Sequence, residues 1–276
     1  MSDLSINNLN QSNDLFTKDG TSYSIQGKKG PYLVFIHGVG LCKEIWEPQV
    51  KYFSQNYRVI TYDFIGHGLS PVLKKNPELD DYVSQLNELV ESINLSNFSL
   101  IGHSMGALIS VAFSLKHQNK VNALIPLNIV FNRTISSRND VLMRANLFLK
   151  TGKISNIEQT LERWFKNKAS INEIKKINKV RQLLNDVSPK GYGDAYKLFA
   201  QSDSLFENKL SGLKLPVLYL TGSDDPNSTS RMSQEMASAS SNGHYESIDN
   251  EAHMVAYISP GKVNPIIENF LLVNSK

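Results

Sequence analysis

Ile101-Gly102-His103-Ser104-Met105-Gly106-Ala107 places one serine in a turn of small residues between two apolar runs. Before it, Phe98-Ser99-Leu100-Ile101 reads as a buried strand; after it, Ala107, Leu108, Val111, Ala112 and Leu115 recur at helical spacing. Gly102 to Gly106 match Gly-x-Ser-x-Gly, and strand, turn and helix in this order are the setting of a nucleophile elbow. The reversal is so tight that the serine backbone is strained and only glycine-sized neighbours fit beside it. Such a turn pushes the Ser104 hydroxyl out of the sheet and aims a helix N-terminus at the same point, where backbone N–H groups stabilise a forming anion. An ordinary glycine-rich turn carries the same five residues, so the rest of the chain has to decide.

Upstream, Ser22 to Gln26 is a plausible early strand, and Tyr32-Leu33-Val34-Phe35-Ile36 is an unbroken apolar run of the kind expected of a strand covered on both faces. It ends in His37-Gly38-Val39-Gly40, whose glycines let the backbone turn its N–H groups into a crevice at the strand's carboxyl end. The Val39 N–H is therefore expected to supply half of an oxyanion hole, and the Met105 N–H at the start of the elbow helix the other half. A helix from about Trp46 to Ser54 followed by a strand at Arg58 to Tyr62 makes a βαβ unit with a parallel pair. In the loop Asp63 to Ser70, Asp63 and His67 have no further ligand nearby to hold a metal and are expected to tie down the loop by side-chain hydrogen bonds. Asp80 to Ile93 has the pattern of an amphipathic helix packed on the sheet, and residues 1 to 12 read as a frayed start.

Downstream, Val121 to Leu127 is another strand, and then the rhythm changes. From about Ile129 to Gly212 the pattern is helical without strands: Val141 to Lys150, Ile157 to Lys166, Ile171 to Leu184, and Ala195 to Phe199 with its flanks. Strands and helices resume with Leu215 to Leu220, Ser230 to Ser238, Tyr245 to Ile248 and Val263 to Leu272. The reading is an α/β fold with a mostly parallel sheet flanked by helices. Residues 1–128 and 213–276 form its core, and residues 129–212 form a helical cap inserted after the sixth strand. That cap carries 15 Lys and Arg against 8 Asp and Glu, while the remainder is net acidic. A basic cover over an acidic base favours a small anionic molecule at the seam, although lysines also simply solvate helix faces.

The 276 residues are 41% hydrophobic and 20% charged, and the net charge of +3 is too small to argue for nucleic acid. One cysteine, Cys42, excludes an internal disulfide and a thiolate metal cluster. Met1 to Lys18 is polar, with neither the apolar stretch of a signal peptide nor a membrane span, so a cytoplasmic location is expected. No metal or cofactor is expected, and oligomeric state is not legible.

Strand ends thus present Ser104, Asp225 and His253 in that order. A serine hydroxyl needs a neutral imidazole to take its proton, and the imidazole needs a carboxylate on its other nitrogen to fix the tautomer. Of six histidines, His37, His67, His103, His117 and His244 sit in turns, in a helix or at a strand start, and His253 alone occupies a loop after the last strand. In the turn Thr221 to Pro226, Asp225 is preferred to Asp224 as the acid, and Asp249 is a minor rival.

His37-Gly38-Val39-Gly40, the stretch Tyr62 to Ser70, the elbow and Ala252-His253-Met254 together resemble the α/β-hydrolase superfamily, over nearly the whole chain. Within it, Leu161-Glu162-Arg163-Trp164-Phe165 and the stretch from Gly191 to Asp203 are similar to bacterial 3-oxoadipate enol-lactone hydrolases. The resemblance implies that Trp164 and Arg163 line a substrate pocket; as core anchor, Trp164 would look the same in sequence. Ala107 stands where those lactonases carry a second glycine, and Asn227-Ser228-Thr229-Ser230 where they carry Thr-Pro. The expected chemistry is cleavage of a small carboxylic ester or lactone through an acyl-enzyme. Hydrolysis of a carbon–carbon bond in a dienoic or β-diketone acid, or a ligand sensor that turns over negligibly, would use the same residues. Serine at the elbow argues against hydrolases of this fold that use a carboxylate nucleophile.

Overall fold

Eight extended segments pair into one sheet: Leu15–Phe16 (β1), Ser22–Gln26 (β2), Tyr32–Ile36 (β3), Arg58–Tyr62 (β4), Phe98–His103 (β5), Val121–Leu127 (β6), Val217–Gly222 (β7) and Gly243–Ile248 (β8). They lie in the order β1-β2-β4-β3-β5-β6-β7-β8, antiparallel for β1–β2 and β2–β4 and parallel elsewhere. The computed structural model describes residues 14–166 and 168–274, so the expected frayed start lies outside the described residues. The chain runs from β3 to β4 on one side and then crosses to β5 on the other, which makes the gap between β3 and β5 a topological switch point. Ligands of open α/β sheets bind at such points.

Both faces are covered, which is why the inner strands read as continuous apolar runs. Leu33 and Phe35 face one layer, with Val50 and Phe53 of α1 (Glu47–Phe53). Val34 and Ile36 face the other, with Leu86 and Leu89 of α2 (Leu79–Ser92) and Leu108 and Val111 of α3 (Met105–Lys116). Between β6 and β7 run α4 (Ile135–Thr151), α5 (Ile157–Phe165), α6 (Ile171–Asn185) and α7 (Pro189–Ala200). Thr134, Asn156, Ser170 and Ser188 cap their N-termini through side-chain oxygens, and Gly152 ends α4 in the left-handed region. The fold closes with α8 (Ser230–Ala239), α9 (Val255–Ile258) and α10 (Pro260–Asn274), α8 on the α2–α3 face and α10 on the other. Among the described residues no helix is long and apolar enough to cross a membrane.

Several element bounds differ from the sequence reading, α4 beginning at Ile135 rather than Val141 and β8 at Gly243 rather than Tyr245, and two of the differences have clear reasons. The strand expected at Leu215 begins at Val217, since Pro216 has no N–H to give the ladder, and β5 runs on to His103 because Gly102 and His103 still pair with Pro126 and Leu127 of β6. β1, two exposed residues long, carried no pattern to read.

Close backbone contacts set the heights of the helices over the sheet. A Cβ on Gly106 would lie 2.3 Å from the Ile36 carbonyl oxygen, and one on Gly191 of α7 would lie 2.0 Å from that of Gly66. The first presses α3 against the end of β3; the second presses α7 onto the loop after β4. Arg133 and Asp203, both buried, pair at 2.6 Å and tie the two ends of the helical insertion together, with Arg138 on the other carboxylate oxygen.

The loops after β3 and β4 hold each other. The Asp63 carboxylate accepts from the Lys43 and Leu69 N–H groups and from the buried Lys43 ammonium. His67 Nε2 accepts the Gly40 N–H at 3.0 Å and His37 Nε2 accepts the Phe64 N–H at 3.2 Å, so both imidazoles carry their proton on Nδ1. The loop-tying role expected of Asp63 and His67 is what the geometry shows. Burial pushes His37, His67 and His103 each down to about 3, leaving all three neutral.

Gly106→Ala is expected to cost at least about 3 kcal/mol by overpacking backbone that cannot yield, read as a fall in the urea midpoint; an unchanged midpoint contradicts the contact. The three imidazoles take up protons below pH 6.5 when unfolded but only near pH 3 when folded. Stability is therefore full above pH 6.5 and falls as pH drops towards 3, at up to about 4 kcal/mol per pH unit for three protons. Denaturant titrations from pH 7 to 4 measure that slope, and a flat profile would contradict neutral burial.

Candidate active site

Ser104 follows β5 directly and holds φ at 56° and ψ at −115°, a strained left-handed conformation for a side-chain-bearing residue. Its N–H bonds the Leu127 carbonyl at the end of β6, and its own carbonyl accepts from Ala107 and Leu108, so the strain is held from both sides. Because Ile36 pairs with Gly102, the loop Gly38-Val39-Gly40 leaves β3 beside the elbow. Among the described residues neither the Val39 nor the Met105 N–H has a hydrogen-bond partner. Val39 and Ser104 line one cavity under the helical cover, and Met105 opens α3 next to it.

Asp225 and His253 meet across the ends of β7 and β8. His253 Nδ1 donates to Asp225 Oδ2 at 2.7 Å, and both residues are almost wholly buried. The same oxygen accepts from the Asn128 amide at 2.8 Å, while Oδ1 accepts the Asn227 and Ser228 N–H groups. Burial alone would raise the acid; the attraction of His253 and these donors outweigh it and hold the carboxyl below the usual carboxylate range. Asp224 is instead half-exposed and bonded to Lys166, and Asp249 is exposed, so neither rival is the imidazole's partner. His253 lines the same cavity as Ser104. The arrangement can hold an imidazole in the tautomer that leaves Nε2 free to accept a proton.

The expected cap residues both reach this cavity. Trp164 lies half-buried with its ring 5.6 Å from that of His253, and its carbonyl accepts the Met254 N–H at 3.0 Å. It is both pocket wall and anchor. Arg163 donates from Nη2 to Thr160, and its buried Nε has no partner. A second guanidinium, Arg144 of α4, stands in the same cavity and donates to the Tyr196 hydroxyl. Arg133, Arg138, Arg181 and Arg231 pair with carboxylates, whereas Arg144 and Arg163 pair with none among the described residues. Burial and the charge of Arg144 both lower the pKa of Arg163. Two guanidiniums without a carboxylate partner in one cavity have the donors to hold an anion.

Sequence reasoning missed Arg144, Asn128 and Asn227. The signal for Arg144 was present: it lies three residues after Val141 and four before Phe148, on the inward side of α4. Asn128 gave none, since a polar residue after a strand reads as a turn.

The chain from 31 to 154 matches the family model described as the alpha/beta hydrolase fold. It is 40% identical to the (E)-2-((N-methylformamido)methylene)succinate hydrolase of Acinetobacter baylyi, over 91% of this chain and 94% of that protein. It is 26% identical to 3-oxoadipate enol-lactonase 1 of the same organism, over 92% and 94% of the two chains. Among solved structures, the enol-lactonase from Burkholderia xenovorans LB400 superposes with a TM-score of 0.82 at 21% identity, covering 94% of this chain and 99% of that one, and shares the fold. Likeness over nine-tenths of its length, on a sheet of this order with a serine elbow at its switch point, makes the chain a member of the α/β-hydrolase family.

Proposed function

We propose that the protein hydrolyses a small, carboxylate-bearing ester or lactone through an acyl-enzyme on Ser104. The observation that carries this reading is the cavity that Ser104 and His253 share with Arg144 and Arg163: a nucleophile, its base and two cations without counter-ions. The substrate carboxylate docks on the guanidiniums and sets the scissile carbonyl over the elbow. Ser104 attacks as His253 Nε2 takes its proton, and Asp225 stabilises the resulting imidazolium. The carbonyl oxygen, now an anion, accepts the Val39 and Met105 N–H groups. His253 then protonates the leaving alkoxide, and water, deprotonated by the same imidazole, releases the acid.

A second reading keeps the machinery and changes the bond: cleavage of an amide C–N bond in an N-acyl dicarboxylate. The relative at 40% identity favours it, being named for a succinate that bears a formamido group. Both readings need the anion site. The carbon–carbon reading needs a β-diketone or dienoic acid to be turned over in its place.

Ser104→Ala is expected to lower turnover of p-nitrophenyl acetate at least about 10⁴-fold and to abolish fluorophosphonate labelling. Labelling of the wild type without turnover across ester, lactone, formamide and diketone acids would favour the sensor reading instead. Arg144→Ala and Arg163→Ala are each expected to cut the ratio of kcat/KM for monomethyl succinate over methyl butyrate about 10- to 100-fold, the worth of a charged hydrogen bond. An unchanged ratio would show that neither guanidinium reads a carboxylate.

A further inference from the structure

The loop bearing His253 is held by its main chain as well as by the imidazole. The Asp224 N–H donates to the Glu251 carbonyl at 2.8 Å, and the Met254 N–H to the Trp164 carbonyl at 3.0 Å. His253's own carbonyl accepts from a side chain, His103 Nε2, at 2.9 Å. A carbonyl only accepts, so this bond places the His103 proton on Nε2. The ring of His103 is buried, sits 4.8 Å from that of His253 and meets Trp46 edge-on at 6.5 Å. On its other side it abuts Gly38, where a Cβ would come within 3.0 Å of His103 Nδ1. One imidazole therefore touches the loop after β3, belongs to the elbow, and bonds the loop after β8.

We propose that His103 is a positioning residue that fixes the base through its backbone, as Asp225 fixes it through its ring. A hydrogen bond to Nδ1 alone leaves the imidazole free to swing about that bond; anchoring the carbonyl of the same residue removes the swing. Without the anchor the buried His253 carbonyl is unpaired, and the loop moves to recover a partner. A displacement of about 1 Å at reacting atoms costs about 10²-fold in rate. His103 is also part of the cavity wall, but the two guanidiniums lie on its cap side, so the expected loss falls on kcat more than on KM.

This inference rests on His253 being the base, and the test separates the two. His103→Leu and His103→Phe remove the donor, the second keeping an aromatic ring, and His103→Gln keeps an N–H. With p-nitrophenyl acetate, kcat is expected to fall about 30- to 100-fold in Leu and Phe with KM within about threefold, and Gln is expected to recover at least tenfold. The low-field Nδ1 proton of His253 should stay sharp in wild type and Gln and broaden in Leu and Phe. Variants are compared only when circular dichroism shows wild-type folding; Phe and Gln suffice if Leu does not fold. Equal loss in Gln and Phe, or wild-type kcat in Phe, would reduce His103 to packing. If wild type neither labels nor turns over, the hydrolase reading has failed, and the proton resonance alone still decides whether His103 orders the loop.

Discussion

The in-register parallel pairing of β3 with β5 is the constraint on which the site depends. Tyr32 to Ile36 lie opposite Phe98 to Gly102, so both strands release the chain at one level, one into Gly38-Val39 and the other into Ser104. The chain diverges to opposite sides of the sheet from these two strands, which opens a crevice that side chains cannot fill from either layer. Gly106, where a Cβ would clash with the Ile36 and His37 carbonyls, lets the start of α3 lie close against the end of β3.

Electrostatics under that crevice are economical. Three imidazoles, His37, His67 and His103, are buried neutral and act as plain donors or acceptors for loop backbone. Asp225 is the buried anion of the site, and four donors spread over its two oxygens keep it ionised beside His253. Above it, the charge balance is reversed: Arg144 and Arg163 are partly withdrawn from water and repel each other. An isolated cation out of water is unfavourable unless paired, so an anionic substrate would relieve a cost already present in the free protein.

Much of this was legible in sequence because it is local or ordered. An unbroken apolar run gave β3, mainly apolar stretches gave β5 and β7, small residues around Ser104 gave the elbow, and chain order nominated Asp225 and His253. The choice between Asp224 and Asp225 turned on which carboxylate the turn aims inward, which adjacent positions could suggest and only the Lys166 and Asn128 contacts decide. Arg144 carried only a positional signal, its spacing from Val141 and Phe148, and that signal is faint among the many lysines and arginines of the insertion. His103 was seen only as a neighbour of the serine. Its partner lies 150 positions away, on a main-chain atom that every residue possesses, and no pattern of side chains encodes that.

Trp164 shows why the cap is not independent of the chemistry beneath it. The sequence supports a pocket wall or a core anchor, and the structure makes the alternatives inseparable: the indole faces the cavity beside His253 while the carbonyl of the same residue receives the Met254 N–H. Moving the end of α5 away from the sheet would break a backbone bond to the loop that carries the imidazole. Arg163, the preceding residue, would move with it. The positions of the Arg163 guanidinium and of the His253 imidazole are thus tied through two adjacent residues on one helix, so whatever shifts the end of α5 also bears on the geometry of His253.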